Sequence, residues 1–312
     1  MTSTLLKRAF GITFNSLAKK GLAAAFAAAT LASLPTGVQA GLLGMFTGKV
    51  AEHVAEHQVE HQIEGHFKSP ALVPGRDGPL APSSNQGFAV CPHLFPKNTP
   101  IDVGSVNAQW RVVGLCSNHF AVLNSALSKT PLVVVEKLNR SMLSDAKGQK
   151  RTNEFYADPR LSRGARAELV DFRSGDEFGK QYQRGHLANA ADQPDQQSMI
   201  QSFALSNMVP QDSFNNEKTW AKIESDVRKF ARRAQGDVFV FSGPIFRGQQ
   251  RTIGPDRVWV PSHLFKLVYD EASGRSWAYI LANTAEARVE APVDYAEFVK
   301  QTGWQLLGRA PG

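Results

Sequence analysis

Cysteine is scarce in this chain: Cys91 and Cys116 are the only two among 312 residues. At most one intramolecular disulfide can form. In an exported chain an even pair points to that bridge, worth roughly 3 kcal/mol by loop entropy, with two buried thiols as the alternative. Long apolar runs are also lacking. The Ala-rich stretch from Leu22 to Leu34 is too short to span a bilayer comfortably. Acidic residues are missing from the start, the first being Glu52. The first forty residues hold four of the 35 Lys and Arg (Lys7, Arg8, Lys19, Lys20) and none of the 28 Asp and Glu, which leaves 31 against 28 and cuts the net charge from +7 to +3. A chain so mildly basic does not announce a nucleic-acid partner by charge alone.

What is present begins with an export-type segment over 1–40. A basic region ends at Lys19-Lys20, the apolar run follows, and Val38-Gln39-Ala40 is a small-x-small cleavage site. This predicts a periplasmic or secreted protein with no stable membrane insertion after cleavage. A mitochondrial transit segment is the minor alternative, given the early Arg, Lys and Ser. No Cys follows the cleavage site, which argues against a lipoprotein.

Residues 41–87 hold a His/Glu repeat and then a Pro/Gly-rich linker. His53, His57 and His61 recur every fourth residue, which would stack them on one helical face. That spacing can bind Zn or Cu, though a solvated or self-associating helix is the favoured reading. The globular part is expected over 88–312.

Within it, Trp110 to Val113, Phe120 to Leu123 and Leu132 to Val135 read as strands of an antiparallel meander. Residues 139–180 read as a charged loop with Arg140, Arg151, Arg160, Arg163, Arg166 and Arg173, either a solvated surface or a phosphate-facing rim. Trp220, Ile223, Val227, Phe230 and Ala234 recur at three and four, which predicts an amphipathic helix. A buried-type strand from Asp237 to Phe241 comes next. Leu264 to Tyr269 and Trp277 to Leu281 form a hairpin around Ser273-Gly274, and Tyr295 to Thr302 a last helix stopped by Gly303. The order predicts an α+β domain with a central antiparallel sheet flanked by helices.

One stretch carries the chemistry. Hydrolysing a phosphodiester needs a base for water, a cation against transition-state charge and help for the leaving oxygen. His186 can be the base, since a neutral imidazole is available near neutral pH. Gly185 beside it permits a close approach or an unusual dihedral. Arg184 can fork onto a phosphate. Asn216, at or just before the amphipathic helix, is either an N-cap or a neutral oxygen ligand for Mg²⁺, which keeps most of its waters. Glu224 lies eight residues on, displaced by roughly 80° on an α-helix, and can orient a metal-bound water or pair with Arg228. Asn207 is a turn residue or a hydrogen-bonding support.

Taken together, Gln183-Arg184-Gly185-His186, Leu205-Ser206-Asn207-Met208-Val209-Pro210-Gln211, Asn216 and Trp220-Ala221-Lys222-Ile223-Glu224 resemble the DNA/RNA non-specific endonucleases. The resemblance runs from about Cys116 to Leu307 and includes Asn153-x-Phe155-x-x-Asp158. It implies the ββα-metal fold, DNA and RNA as partners, Mg²⁺ (with Mn²⁺ as a substitute) and 5′-phosphate products. By the same resemblance His186 is the general base and Asn216 the metal ligand. Arg184 contacts phosphate, Glu224 supports the metal waters and Asn207 supports the site. A homodimer is left open. Two positions depart from the pattern. Gln183 stands where the family usually has Asp. A further catalytic Arg of some relatives would fall near Asn153, with Arg151 two residues away as its candidate replacement for substrate binding. The competing readings are a non-catalytic nucleic-acid binder that keeps the fold, and an exported metal-binding protein acting through the His/Glu repeat.

Overall fold

Six apolar strands form the central sheet, and most of them must be covered on both faces. The computed structural model describes residues 87–173 and 181–307. The export-type segment, the His/Glu repeat and the linker up to residue 86 lie outside the described residues. In chain order the elements are β1 (Val112–Cys116), β2 (Phe120–Ser125), β3 (Thr130–Leu138), α1 (Arg140–Asp145), β4 (Tyr182–His186), α2 (Gln196–Ser202), β5 (Met208–Asp212), α3 (Ala221–Ala231), β6 (Val238–Ile245), β7 (Arg251–Ile253), β8 (Val258–Val260), β9 (His263–Asp270), β10 (Arg275–Ala282) and α4 (Tyr295–Thr302).

The sheet order is β1-β2-β3-β6-β9-β10, antiparallel throughout. Every residue of β2 and β6 is buried. Val122, Val134, Val240 and Val268 point to one face and pack with Trp220, Ile223 and Val227 from α3 and the turn before it. Val133, Val135, Phe239 and Phe265 point to the other, against Phe298 of α4 and Phe88 and Phe95 from the N-terminal turns. Two-sided burial is why these strands read as unbroken apolar runs. Each fully buried side chain of this size contributes about 1.5–3 kcal/mol. Cys91 and Cys116 are joined in a disulfide that ties those N-terminal turns to the end of β1. Among the described residues no helix is long and apolar enough to cross a membrane.

The segment expected as a plain loop over 139–180 contains α1. Asn139 caps it, its side chain accepting from Met142 N–H at 3.0 Å. This capping outweighs the charged composition that suggested a loop. Its arginines are not one surface rim either. Arg160 is buried against Asp158 at 2.6 Å, and Arg166 bonds Glu168 at 2.9 Å. The amphipathic helix was expected from Trp220. The α-helical part begins at Ala221, and Asn215–Trp220 is a π-helical turn. Asn216 sits inside that turn, so the roughly 80° separation from Glu224 read for an ideal α-helix does not hold. α4 matches its expected bounds and ends at Gly303, whose φ of 76° is the left-handed cap glycine favours.

Candidate active site

A two-stranded ribbon outside the main sheet positions the site. β4 pairs antiparallel with β5, setting Gly185 opposite Val209 and His186 opposite Met208. A Cβ on Gly185 would fall 2.1 Å from Gln211 Oε1, so only glycine leaves room for that buried side chain to cross the strand. Gln211 uses the room to donate to Asn215 Oδ1 at 2.8 Å, and Asn215 in turn donates to the Ala282 carbonyl at 2.8 Å. The residue beside Asn216 is thereby locked between the ribbon and β10.

The chain leaving His186 is pinned by Asn207. Leu187 N–H donates to the Asn207 carbonyl at 3.1 Å and Ala188 N–H to its Oδ1 at 2.9 Å. Asn207 Nδ2 donates to the carbonyls of Ala188 and Ser202 at 2.9 and 2.8 Å. Asn207 is wholly buried and its amide is fully used. It both closes the turn Leu205–Asn207 and braces the strand end that carries His186.

His186 stands among aromatic rings. Its ring centroid lies 4.9 Å from Phe203, edge to face, and 5.7 Å from Phe155. Arg184 stacks over Phe155 at 4.2 Å and Arg151 over Phe203 at 5.1 Å. Two guanidiniums are therefore held beside the imidazole on its own aromatic neighbours. His186 Nε2 is buried and has no hydrogen-bond partner within the protein. Burial, then Arg151, then Arg184 push its pKa down to about 3, so the ring is neutral. Arg151 thus lies beside the imidazole, over Phe203. Asn153 supports it by accepting from Arg151 Nε at 3.2 Å.

Asn216 and Gln183 face each other. Asn216 Nδ2 donates to Gln183 Oε1 at 2.8 Å, and Gln183 Nε2 donates to Glu217 Oε1 at 2.5 Å. With its nitrogen so engaged, the Asn216 amide has its oxygen left for a ligand. Among the described residues no group of three or more His, Cys, Asp or Glu could hold a metal ion. A single amide oxygen is a hard, neutral donor of the kind a cation that keeps most of its waters can use.

Glu224 is half-buried on α3. Burial and Asp192 raise its pKa to about 7, against the pull of Lys266 and Arg228. The alternative reading of Glu224, a pair with Arg228, is not made; Arg228 bonds Asp192 instead. Beneath Glu224 lies a polar patch that sequence reasoning missed. Glu136 of β3, Ser242 of β6 and Lys266 of β9 occupy the face that α3 covers, and all three are buried. Ser242 and Lys266 are cross-strand partners, with Lys266 Nζ donating to Ser242 Oγ at 2.7 Å and lying 4.8 Å from the Trp220 ring. The available signal was a charge at an inward strand position between Leu264 and Val268, and another between Val134 and Leu138. Phe203 was missed as well, and Phe155 was named only as part of a motif, without a role. They meet because Tyr156 and Ala204 form an isolated parallel bridge.

A β-ribbon, a helix packed on an antiparallel sheet, and His, Asn and Glu gathered between them define the ββα-metal nuclease class. The profile of the DNA/RNA non-specific endonuclease family matches residues 103–308, and the chain belongs to that family. It is 32% identical over 210 residues to "Nuclease 1, mitochondrial" of Schizosaccharomyces pombe, covering 59% of this chain and 62% of that protein. It is 33% identical over 179 residues to human "Endonuclease G, mitochondrial", covering 53% and 56%. With human "Nuclease EXOG, mitochondrial" it shares 31% over 172 residues, covering 52% and 45%. The chain thus spans between roughly half and three-fifths of the length of these relatives. A solved EndoG/EndoGI complex superposes with a TM-score of 0.54 at 23% identity, over 61% of this chain and 83% of that one, which supports the fold.

Proposed function

We propose that this protein is a metal-dependent endonuclease that hydrolyses DNA and RNA without strong sequence preference, leaving 5′-phosphate ends. One observation carries the reading: a neutral His186 imidazole flanked by Arg184 and Arg151. A neutral imidazole beside two phosphate-seeking forks suits a base that takes a proton from water next to a phosphodiester.

A pKa near 3 describes the protein without substrate, where two arginines face the ring. A docked phosphate offsets their charge and raises the basicity of His186 toward the working pH, so the base is switched on by the group it serves. Arg184 and Arg151 hold phosphate oxygens and read no base edge, which makes the cutting indifferent to sequence. Asn216 Oδ1 would hold Mg²⁺, with Mn²⁺ as a substitute; when bound, such an ion would supply charge neutralisation for the transition state and help for the leaving oxygen. Gln183 fixes the Asn216 amide by hydrogen bonding, without the charge of an Asp. Glu224 accepts hydrogen bonds from waters at the site.

The N-terminal forty residues act as a targeting segment cleaved after Ala40. The Cys91–Cys116 bridge favours an oxidising compartment, periplasmic or extracellular. The mitochondrial names of the relatives keep the organelle as the alternative destination. Amino-terminal sequencing of the mature protein tests the cleavage point, with Gly41 expected first. The activity itself is tested by digesting supercoiled plasmid and single-stranded RNA with Mg²⁺, with Mn²⁺ and with EDTA. Cutting of both polymers, abolished by EDTA, is expected; purified protein inert with either ion would leave only a nucleic-acid binder.

A further inference from the structure

Tyr182, Arg184 and His186 alternate with Gln183 and Gly185 along β4, so they share one side of the strand. Each two-residue step along that side is about 6.6–6.8 Å. Arg184 lies over Phe155 at the middle step. A second guanidinium covers the step at Tyr182: Arg251 Cζ is 5.4 Å from the centroid of that ring.

Arg251 comes from a different ribbon, β7–β8. Ile253 lies two residues on, on the same side of β7, and is buried in one apolar cluster with Tyr182 and Val258. That packing lays the start of β7 against β4. Phe155 packs on the same cluster and also on the cluster that holds Phe203. Tyr182, Phe155 and Phe203 thus form a continuous aromatic footing, and each ring carries an arginine: Arg251, Arg184 and Arg151. Tyr182 is 2% exposed while Arg251 is exposed, so the ring is the support and the guanidinium faces solvent. Arg251 Nη2 donates to Gln181 Oε1 across 3.4 Å, a long bond. Stacking holds the plane of a guanidinium without using its N–H donors, which stay available to an anion.

We propose that Arg251 binds the phosphate next to the scissile one, on the Arg184 side of the site away from Arg151. The proposal rests on the nuclease reading above, with Arg184 and Arg151 at the scissile phosphate. A row of cations at regular steps suits a strand that carries one charge per nucleotide. Arg251 is remote from the bond that breaks, so it adds to binding of substrate and transition state alike and acts on KM. An arginine that only shields the Tyr182 ring would bind no phosphate.

The test compares wild type, Arg251→Ala, Arg251→Gln and Arg251→Lys on single-stranded oligonucleotides with one ordinary phosphodiester. The neighbouring linkages are either charged phosphorothioates or neutral methylphosphonates. With charged neighbours Arg251→Ala is expected to raise KM by about 3–10-fold, the worth of one charged hydrogen bond at the surface. Its kcat should stay within about twofold. Its plot of log kcat/KM against log salt should flatten by about one contact, and Arg251→Lys, which keeps the charge, should keep the slope. With neutral neighbours the KM gap between wild type and Arg251→Ala should close to less than about twofold. An unchanged KM with charged neighbours, or an equal rise with neutral ones, overturns the proposal and leaves the nuclease reading intact. If Arg251→Ala does not fold, Arg251→Gln, which keeps a polar stem over Tyr182 without the charge, decides by the same outcomes. A wild type that cuts neither substrate removes the nuclease reading and this proposal with it.

Discussion

Asn216 Nδ2 donates to Gln183 Oε1 across 2.8 Å, joining the π-helical turn to the strand that carries His186. An amide bonded through its nitrogen presents its oxygen in one orientation, and that oxygen is the proposed metal ligand. Gln183 thus keeps the acceptor an Asp would provide and forgoes its charge. Replacing it by Ala frees the Asn216 amide to rotate. In Gln183→Ala the Mg²⁺ concentration for half-maximal cutting should rise about 10–100-fold, with most of the rate regained at saturating Mg²⁺. A titration of rate against Mg²⁺ checks this, and an unchanged midpoint would show that Asn216 needs no such brace.

Arg151 is exposed, yet its guanidinium rests on Phe203 beside the imidazole. Arg151→Ala should lower kcat/KM by about 10–100-fold, in line with losing one donor aimed at the reacting phosphate. It should also flatten the dependence of log kcat/KM on log salt by about one phosphate contact's worth. Rates measured at several salt concentrations separate the two effects. A weaker enzyme with an unchanged salt slope would place Arg151 away from the phosphate.

The Glu224 carboxyl titrates at about 7 in the fold against an ordinary 4.5, chiefly through burial. A raised acid favours its protonated form, so the stability it contributes is complete below about 4.5 and is lost as pH rises through about 7. Glu224→Gln mimics the protonated state. At pH 8 it should melt higher than wild type by about 4–8 °C, corresponding to about 2 kcal/mol, and the gap should shrink as pH approaches 5. Calorimetry across that range checks the sign. A variant that melts lower at every pH would contradict it.

The disulfide lies on the sheet face away from His186, among Phe88 and Phe95. Cys91→Ala/Cys116→Ala should lose about 3 kcal/mol and about 6–12 °C in thermal midpoint. Its cutting rate at 20 °C should stay within about twofold of wild type, because no residue of the site touches that layer. Melting curves and rates on the same samples test both statements.

Asn207, Asn216, Trp220 and Glu224 could be picked out because they lie close together in the chain. The central strands were legible because burial on both faces leaves continuous runs such as Leu132-Val133-Val134-Val135. Other features needed the fold. Tyr182-Gln183-Arg184-Gly185-His186 has too few apolar residues to read as a strand, and its partner β5 begins more than twenty residues later. The π-helical turn escapes periodicity because Trp220 stays on the apolar stripe whether one residue is inserted before it or not. Glu136 and Lys266 look like stray charges in their strands until β3, β6 and β9 are set side by side.

The central claim is that His186 takes the proton from the attacking water. Single-turnover cleavage of a defined duplex by His186→Ala, with and without added imidazole, tests it most directly. Loss of about 10²–10⁴-fold in rate, partly restored by imidazole in its neutral form, is the expected result. Undiminished cleavage by His186→Ala would contradict it.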